Sequence, residues 1–278
     1  ELSLFDRVYQ TNRVRSLMHR WYAFYEVPNP SLENQLDLLA EDLYISRPQR
    51  VVQGREEYRA RAMEALVPGE RHSHRIRELE ILRVEGGLIY ARATTDYQNL
   101  KADGQFMAAR LNYDIVAEDT AGVLPKLKRL VITPIGAGES TSFSDAYWEN
   151  RVASLVHYFG AIFDKNDGDA TPFRELFPAS GFEFLRSGGG TFSDFDEFAR
   201  YYTTVPVTTS RLSAHEVEDL AIGEPRRSVD GATEVDVTFH YRWNAVLVSG
   251  AIVTGLVVAG QSDSGPPDGW QRVSGSIR

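Results

Sequence analysis

The stretch Val14-Arg15-Ser16-Leu17-Met18-His19-Arg20-Trp21-Tyr22-Ala23-Phe24-Tyr25 returns 138 residues later as Val152-Ala153-Ser154-Leu155-Val156-His157-Tyr158-Phe159-Gly160-Ala161-Ile162-Phe163. Val14, Leu17, Met18, Trp21, Phe24 and Tyr25 fall on an i, i+3, i+4, i+7 stripe in the first copy, and Val152, Leu155, Val156, Phe159, Ile162 and Phe163 do so in the second. Apolar residues at that spacing mark a helix with one buried face. The same offset carries Leu38-Leu39-Ala40 onto Leu176-Phe177-Pro178 without a gap. With small insertions, Leu43-Tyr44-Ile45-Ser46-Arg47 then meets Phe182-Glu183-Phe184-Leu185-Arg186, and Leu127-Lys128-Arg129-Leu130 meets Trp270-Gln271-Arg272-Val273. A duplicated domain predicts such a run, and a chance pair of helices does not.

Each half reads as a long helix, a short helix, a first strand, a third helix and then several strands. In the first half the third helix opens after Gly54, and strands are expected at His74–Val84, Leu88–Gln98, Gln105–Glu118 and Leu127–Thr133. In the second, Val235, Val237, Phe239 and Tyr241 alternate with Asp236, Thr238, His240 and Arg242, the period of a half-buried strand. The Gly, Ser and Thr of Thr133 to Phe143 mark a linker. Helices first and an antiparallel meander after them give the α+β class. The expected fold is thus two tandem cone-shaped α+β barrels, each with three helices packed on a curved, mostly antiparallel sheet, over residues 1–137 and 143–278.

The length of 278 residues suits two domains. Hydrophobic residues at 42%, charged residues at 25% and a mean hydropathy of −0.32 place the chain among globular proteins. With no cysteine, disulfides, thiolate nucleophiles and cysteine-ligated metals are excluded. The longest apolar run, Ala245 to Ala259, is interrupted by Ser249, Gly250, Thr254 and Gly255 and is too short for a spanning helix, so it reads as buried β-structure and no membrane partner is expected. A cytoplasmic location is expected, although the chain opens at Glu1 without a methionine, which leaves a removed leader open. The net charge of −9 is uneven: residues 1–138 hold 19 basic and 19 acidic side chains, and 139–278 hold 11 and 20. Without clustered cations to release counterions, binding to a nucleic-acid backbone is not expected.

The run from Val14 through Leu39-Ala40-Glu41-Asp42 and Ser46-Arg47-Pro48 to Gln53-Gly54-Arg55-Glu56 resembles the nuclear-transport-factor-2-like superfamily, which includes the SnoaL-like polyketide cyclases, ketosteroid isomerase and scytalone dehydratase. The similarity covers nearly the whole chain, twice. It implies a cone holding an apolar pocket with a few polar groups inside, used without metal or cofactor. The isomerase's oxyanion tyrosine falls on Trp21, with Phe159 in the second half. Its base falls on Arg47, with Arg186 in the second half, and its late-strand acid on Asn112, with Thr254. None of the three groups is kept, and arginine, protonated in proteins, cannot serve as the base. The pocket histidine of scytalone dehydratase matches His74, whose nearest match in the second half is Ser210.

Arg47 and Arg186 are candidates to hold an anionic oxygen, the alternative being an arginine paired with a carboxylate or reaching solvent. His74 is a candidate proton shuttle, the alternative being a structural histidine at a strand start. Trp21, Tyr25, Tyr58 and Asn112 are candidates to line the ligand site, the aromatics also being natural core. His72 and His74 with Glu70 lack a third ligand at informative spacing for a metal site. Gly188-Gly189-Gly190, with no Lys-Ser/Thr after it, is a loop and not a phosphate cradle. His19 and His157 align, but off the apolar stripe they read as surface or interdomain residues.

Two functions stay open. One is a protein binding a small, largely apolar molecule able to carry an anionic oxygen, with isomerisation, dehydration or cyclisation as its reaction if it is an enzyme. The other is a non-catalytic scaffold or binding protein like the β subunits of ring-hydroxylating oxygenases. In either case the two halves are expected to form an intramolecular pseudo-dimer, monomeric in solution.

Overall fold

The computed structural model describes residues 2–27, 30–177, 180–185, 191–204, 212–227, 233–246, 252–259 and 273–274. Arg186, Gly188–Gly190, Ser210 and the side chain of Thr254 lie outside this description. The chain divides into two compact units: Glu1–Ser3 with Arg13–Ser154, and Leu4–Asn12 with Leu155–Arg278. No helix among the described residues is long and apolar enough to cross a membrane.

Unit 1 carries most of α1 (Leu4–Glu26), then α2 (Leu32–Leu36), β1 (Leu39–Arg47), β2 (Arg50–Gln53), α3 (Arg55–Ala62) and the long strands β3 (Arg71–Glu85), β4 (Leu88–Leu100), β5 (Phe106–Glu118) and β6 (Lys126–Ala137). The sheet order is β2-β1-β6-β5-β4-β3, with β1 and β6 parallel and the other pairs antiparallel. Val14, Leu17, Met18, Trp21 and Tyr22 bury the stripe of α1 against Ile89, Ala91, Tyr113 and Ile115 of the sheet. Arg13 is also buried, which costs little because its guanidinium meets Asp119 at 2.6 Å and the Val123 carbonyl at 2.7 Å. Gly54 opens α3 at φ 83°, a conformation that a side chain would strain.

The segment Thr133–Ala137, read from composition as linker, is the end of β6. Thr133 pairs with Asn112, Pro134 with Leu111, Gly136 with Arg110 and Ala137 with Ala109, and the register shifts between Arg110 and Leu111. Pro134 sits beside that shift, where a missing N–H does not interrupt the ladder.

Unit 2 holds the remainder of α4 (Tyr147–Lys165), a 3₁₀ turn at Thr171–Glu175, β7 (Ser180–Leu185), β8 (Thr191–Asp194), α5 (Phe195–Tyr202) and β9 (Leu212–Ile222). Two short strands follow, β10 (Arg226–Arg227) and β11 (Thr233–Glu234), then β12 (Val237–Val246), β13 (Ile252–Ala259) and β14 (Val273–Ser274). Among the described residues β9, β12 and β13 form one antiparallel sheet, and β14, β7 and β8 another. The apolar run Ala245–Ala259 is β-structure wherever it is described. Asp194 caps α5 by accepting from the Glu197 N–H. The fold is α+β, as the sequence implies, and its plan occurs twice. Each plan pairs a long amphipathic helix with a helix–strand prelude and a mostly antiparallel meander.

Candidate functional site

At the end of α1 the Glu26 side chain is 0% exposed, a burial that a carboxylate tolerates only when its oxygens are satisfied. Glu26 Oε1 accepts from the His74 backbone N–H at 2.6 Å and from His74 Nδ1 at 3.0 Å. The Asn150 amide donates to both carboxylate oxygens, at 3.1 and 2.9 Å, and to the His74 carbonyl at 2.8 Å. With its nitrogen so engaged, Asn150 presents Oδ1 to His19 Nδ1 at 2.7 Å, so His19 donates there. The contacts place a proton of His74 on Nδ1, because the carboxylate can only accept there. Among the described residues Nε2 of His74 has no hydrogen-bond partner, and it is not sealed from its surroundings. The imidazole is held in plane by Tyr22, stacked 4.6 Å away at 3°, with the Tyr97 ring 5.0 Å off.

Around this dyad unit 1 gathers phenols. Tyr25 and Tyr58 share a hydroxyl–hydroxyl bond of 2.7 Å, Gln35 donates to Tyr58 at 3.4 Å, and Trp21 packs on both rings. Tyr22 bonds Thr95 at 3.0 Å, and Tyr97 bonds His72 Nδ1 at 2.9 Å. Burial pushes Tyr58 and Tyr97 up to about 12, and Tyr22, Tyr25 and Tyr113 upward too, so all five remain protonated donors at neutral pH.

Arg47 ends β1 beside Arg50 in a tight turn and is exposed, as in the solvent-reaching alternative. Its charge still acts on Tyr25, Tyr58, His72 and Tyr97. His72, lowered first by burial, feels both His74 and Arg47, so the two candidates face one neighbourhood. Among the described residues no carboxylate pairs with Arg47, whereas Arg50 is tied to Glu64 at 2.8 Å. Asn112 stands apart, because it alternates with the core residues Leu111 and Tyr113 and lies on the opposite face of β5. Arg186 lies outside the described residues.

Unit 2 repeats the network. Asp164 stands 138 residues after Glu26, with a side chain 0% exposed. It accepts from the His215 N–H at 3.1 Å and from His215 Nδ1 at 2.6 Å. Asn12 donates to Asp164 at 3.4 Å and to the His215 carbonyl at 2.9 Å, and receives His157 Nδ1 at 2.9 Å. The counterpart of His74 is therefore His215 and not Ser210: the cross-strand pair His74/Tyr97 in β3 and β4 becomes His215/Trp243 in β9 and β12. His19 and His157 are buried and not at the surface. Gly160 takes the place of Tyr22, and a Cβ there would stand 2.9 Å from Asn12 Nδ2, so a side chain at this position would have to displace the amide as it is placed.

Burial lowers His19 from 6.5 to about 4. The folded chain thus keeps His19 neutral while the unfolded chain binds a proton below pH 6.5. Stability should hold above that pH and fall by about 3 kcal/mol as pH drops toward 4, since each pH unit in the window costs about 1.4 kcal/mol. Urea denaturation between pH 4 and 7 measures this, and His19→Gln, which keeps a donor toward Asn150, should remove most of the slope.

No family model matches the sequence, and a comparison with curated proteins finds no match. Solved structures do resemble it in fold. A scytalone dehydratase-like protein of Novosphingobium aromaticivorans is 14% identical, covering 49% of this chain and 95% of its own, with a TM-score of 0.41. A hexachlorocyclohexane dehydrochlorinase of Novosphingobium barchaimii is 10% identical over 48% and 92%, with a TM-score of 0.41. The β subunit of a benzoate 1,2-dioxygenase from Burkholderia mallei is 16% identical over 44% and 88%, with a TM-score of 0.34.

Proposed function

We propose that unit 1 is an acid–base site working without metal or cofactor, in which His74 moves a proton on a small, largely apolar molecule whose oxygen carries or develops negative charge. The observation that carries this reading is the divided state of His74: Nδ1 is bonded to a buried carboxylate and Nε2 is unbonded and reachable. A general base needs that arrangement, because the carboxylate orients the ring and stabilises the imidazolium formed when Nε2 takes a proton. The protonated phenols and the charge of Arg47 supply donors and a positive field for the oxygen. Isomerisation, dehydration and cyclisation all fit these groups, since each needs a proton removed and an oxygen stabilised.

The probe is 5-nitrobenzisoxazole, which opens to 2-cyano-4-nitrophenolate when a base takes its C–H proton: the C–H pair becomes part of the nitrile and the N–O bond breaks. His74→Gln should lower the rate of the full chain, and the His74-dependent part should be inhibited by 4-nitrophenolate. Arg47→Ala should weaken that inhibition about 10-fold, the effect of one charge-assisted contact. A His74→Gln protein with the wild-type rate would overturn the reading, as would unchanged inhibition in Arg47→Ala.

A further inference from the structure

We propose that unit 2 holds a second, separate proton-transfer site, in which His215 oriented by Asp164 serves uncharged, apolar, aromatic-sized molecules. It rests on unit 2's own residues and stands whether or not His74 acts as proposed.

The geometry at His215 meets the requirements met at His74. Nδ1 lies 2.6 Å from a carboxylate whose side chain is 0% exposed, and the backbone N–H of the same residue binds the other oxygen at 3.1 Å. Asn12 holds both the carboxylate and the His215 carbonyl, and Ser213 gives Asp164 a further contact at 3.5 Å. Among the described residues Nε2 of His215 has no hydrogen-bond partner, and it is not sealed off, the side chain being 15% exposed. Desolvating that carboxylate is costly, and the bonds from His215, Asn12 and Ser213 offset the cost while fixing the ring.

The surroundings differ in kind, and they set the ligand class. The rings beside His215 are Phe163, at 5.4 Å, and Tyr241, at 5.6 Å. Phe159 and Phe163 stand where unit 1 has Trp21 and Tyr25, and Gly160 replaces the stacked Tyr22. The phenol pair Tyr25–Tyr58 becomes the phenylalanines Phe163 and Phe198, so two hydroxyl donors are lost. A site with fewer hydroxyl donors stabilises an anion less and accepts apolar molecules.

The test uses the full chain and 5-nitrobenzisoxazole, which is uncharged and aromatic. His215 Nε2 takes the proton from carbon, the N–O bond breaks to release the cyanophenolate, and the imidazolium returns its proton to water. In the His74→Gln background a rate about 100-fold above that of free imidazole at equal concentration is expected, the scale of a positioned base. His215→Gln in that background should bring the rate down to the imidazole level, and the surviving rate should resist 4-nitrophenolate. A His74→Gln protein no faster than imidazole, or a surviving rate indifferent to His215→Gln, would overturn the proposal. If the double variant does not fold, carbethoxylation of the wild-type chain by diethyl pyrocarbonate reads the same nitrogen. His215 should be modified and protected by 1,2-benzisoxazole, and an unmodified or unprotected His215 would count against the site.

Discussion

Replacing Glu26 by leucine should destabilise the protein by about 3–5 kcal/mol, because several buried donors lose one shared acceptor. The side chain has no exposure, so water does not take its place. Leucine leaves the His74 N–H, His74 Nδ1 and the Asn150 amide without their acceptor, and each unpaired buried donor costs about 1–3 kcal/mol. The gain in apolar burial does not offset this, because the neighbours remain polar. For a chain of this size the midpoint of thermal unfolding should fall by roughly 10 °C. Glu26→Gln separates shape from charge: its oxygen can still accept from His74, but its amide confronts the Asn150 amide, donor against donor. It should fall between leucine and wild type in stability and lose the His74-dependent rate. Glu41 gives the contrast, since its pairing with Arg55 is exposed and Glu41→Gln should change neither property measurably. A Glu26→Leu protein within about 1 kcal/mol of wild type in urea would mean that water reaches the carboxylate and that the dyad is not buried as described.

The helices, the strands of the first half and the duplication are legible in the sequence because they rest on periodicity, and periodicity survives substitution. The site is legible only in part. His74 was visible as a titratable group, whereas Glu26, Asn150 and His19 sit off the apolar stripe of their helices. A helix considered alone assigns such positions to solvent. They are buried because other elements bring partners to them: β3 brings His74 to Glu26, and Asn150 sits between Glu26 and His19. A signal did exist, since Asn12, His19 and Glu26 each recur 138 residues later as Asn150, His157 and Asp164. His215 escaped because the offset grows to 141 between the helix and the strand. Under that offset His74-Arg75-Ile76-Arg77-Glu78-Leu79 matches His215-Glu216-Val217-Glu218-Asp219-Leu220. The position of Arg47 could be read, but not its exposure, which follows from the turn that joins β1 to β2.

The second large effect is expected at Phe173, where alanine should cost about 3–5 kcal/mol, the usual range for emptying a buried phenylalanine site. Phe173 is 0% exposed, stacks on Phe177 at 5.8 Å and 4°, and meets Phe163, Phe198 and Tyr202 edge to face at 5.3, 4.9 and 4.9 Å. Each edge-to-face pair adds about 0.5–1.5 kcal/mol beyond its buried area, which places the loss toward the upper end. The rings that remain are rigid and held on α4, on α5 and at Phe177, so they cannot collapse into the gap. Phe173→Leu, which refills most of the volume but keeps no ring edges, should recover about half of the loss. The same substitution reaches the proposed second site, because Phe163 lies between Phe173 and His215. Phe173→Ala should therefore lower the His215-dependent rate in the His74→Gln background more than it lowers the His74-dependent rate. Equal losses in both would show that the substitution acts through global stability alone, and the roles of the two interiors would then have to be separated by substitutions at the histidines themselves.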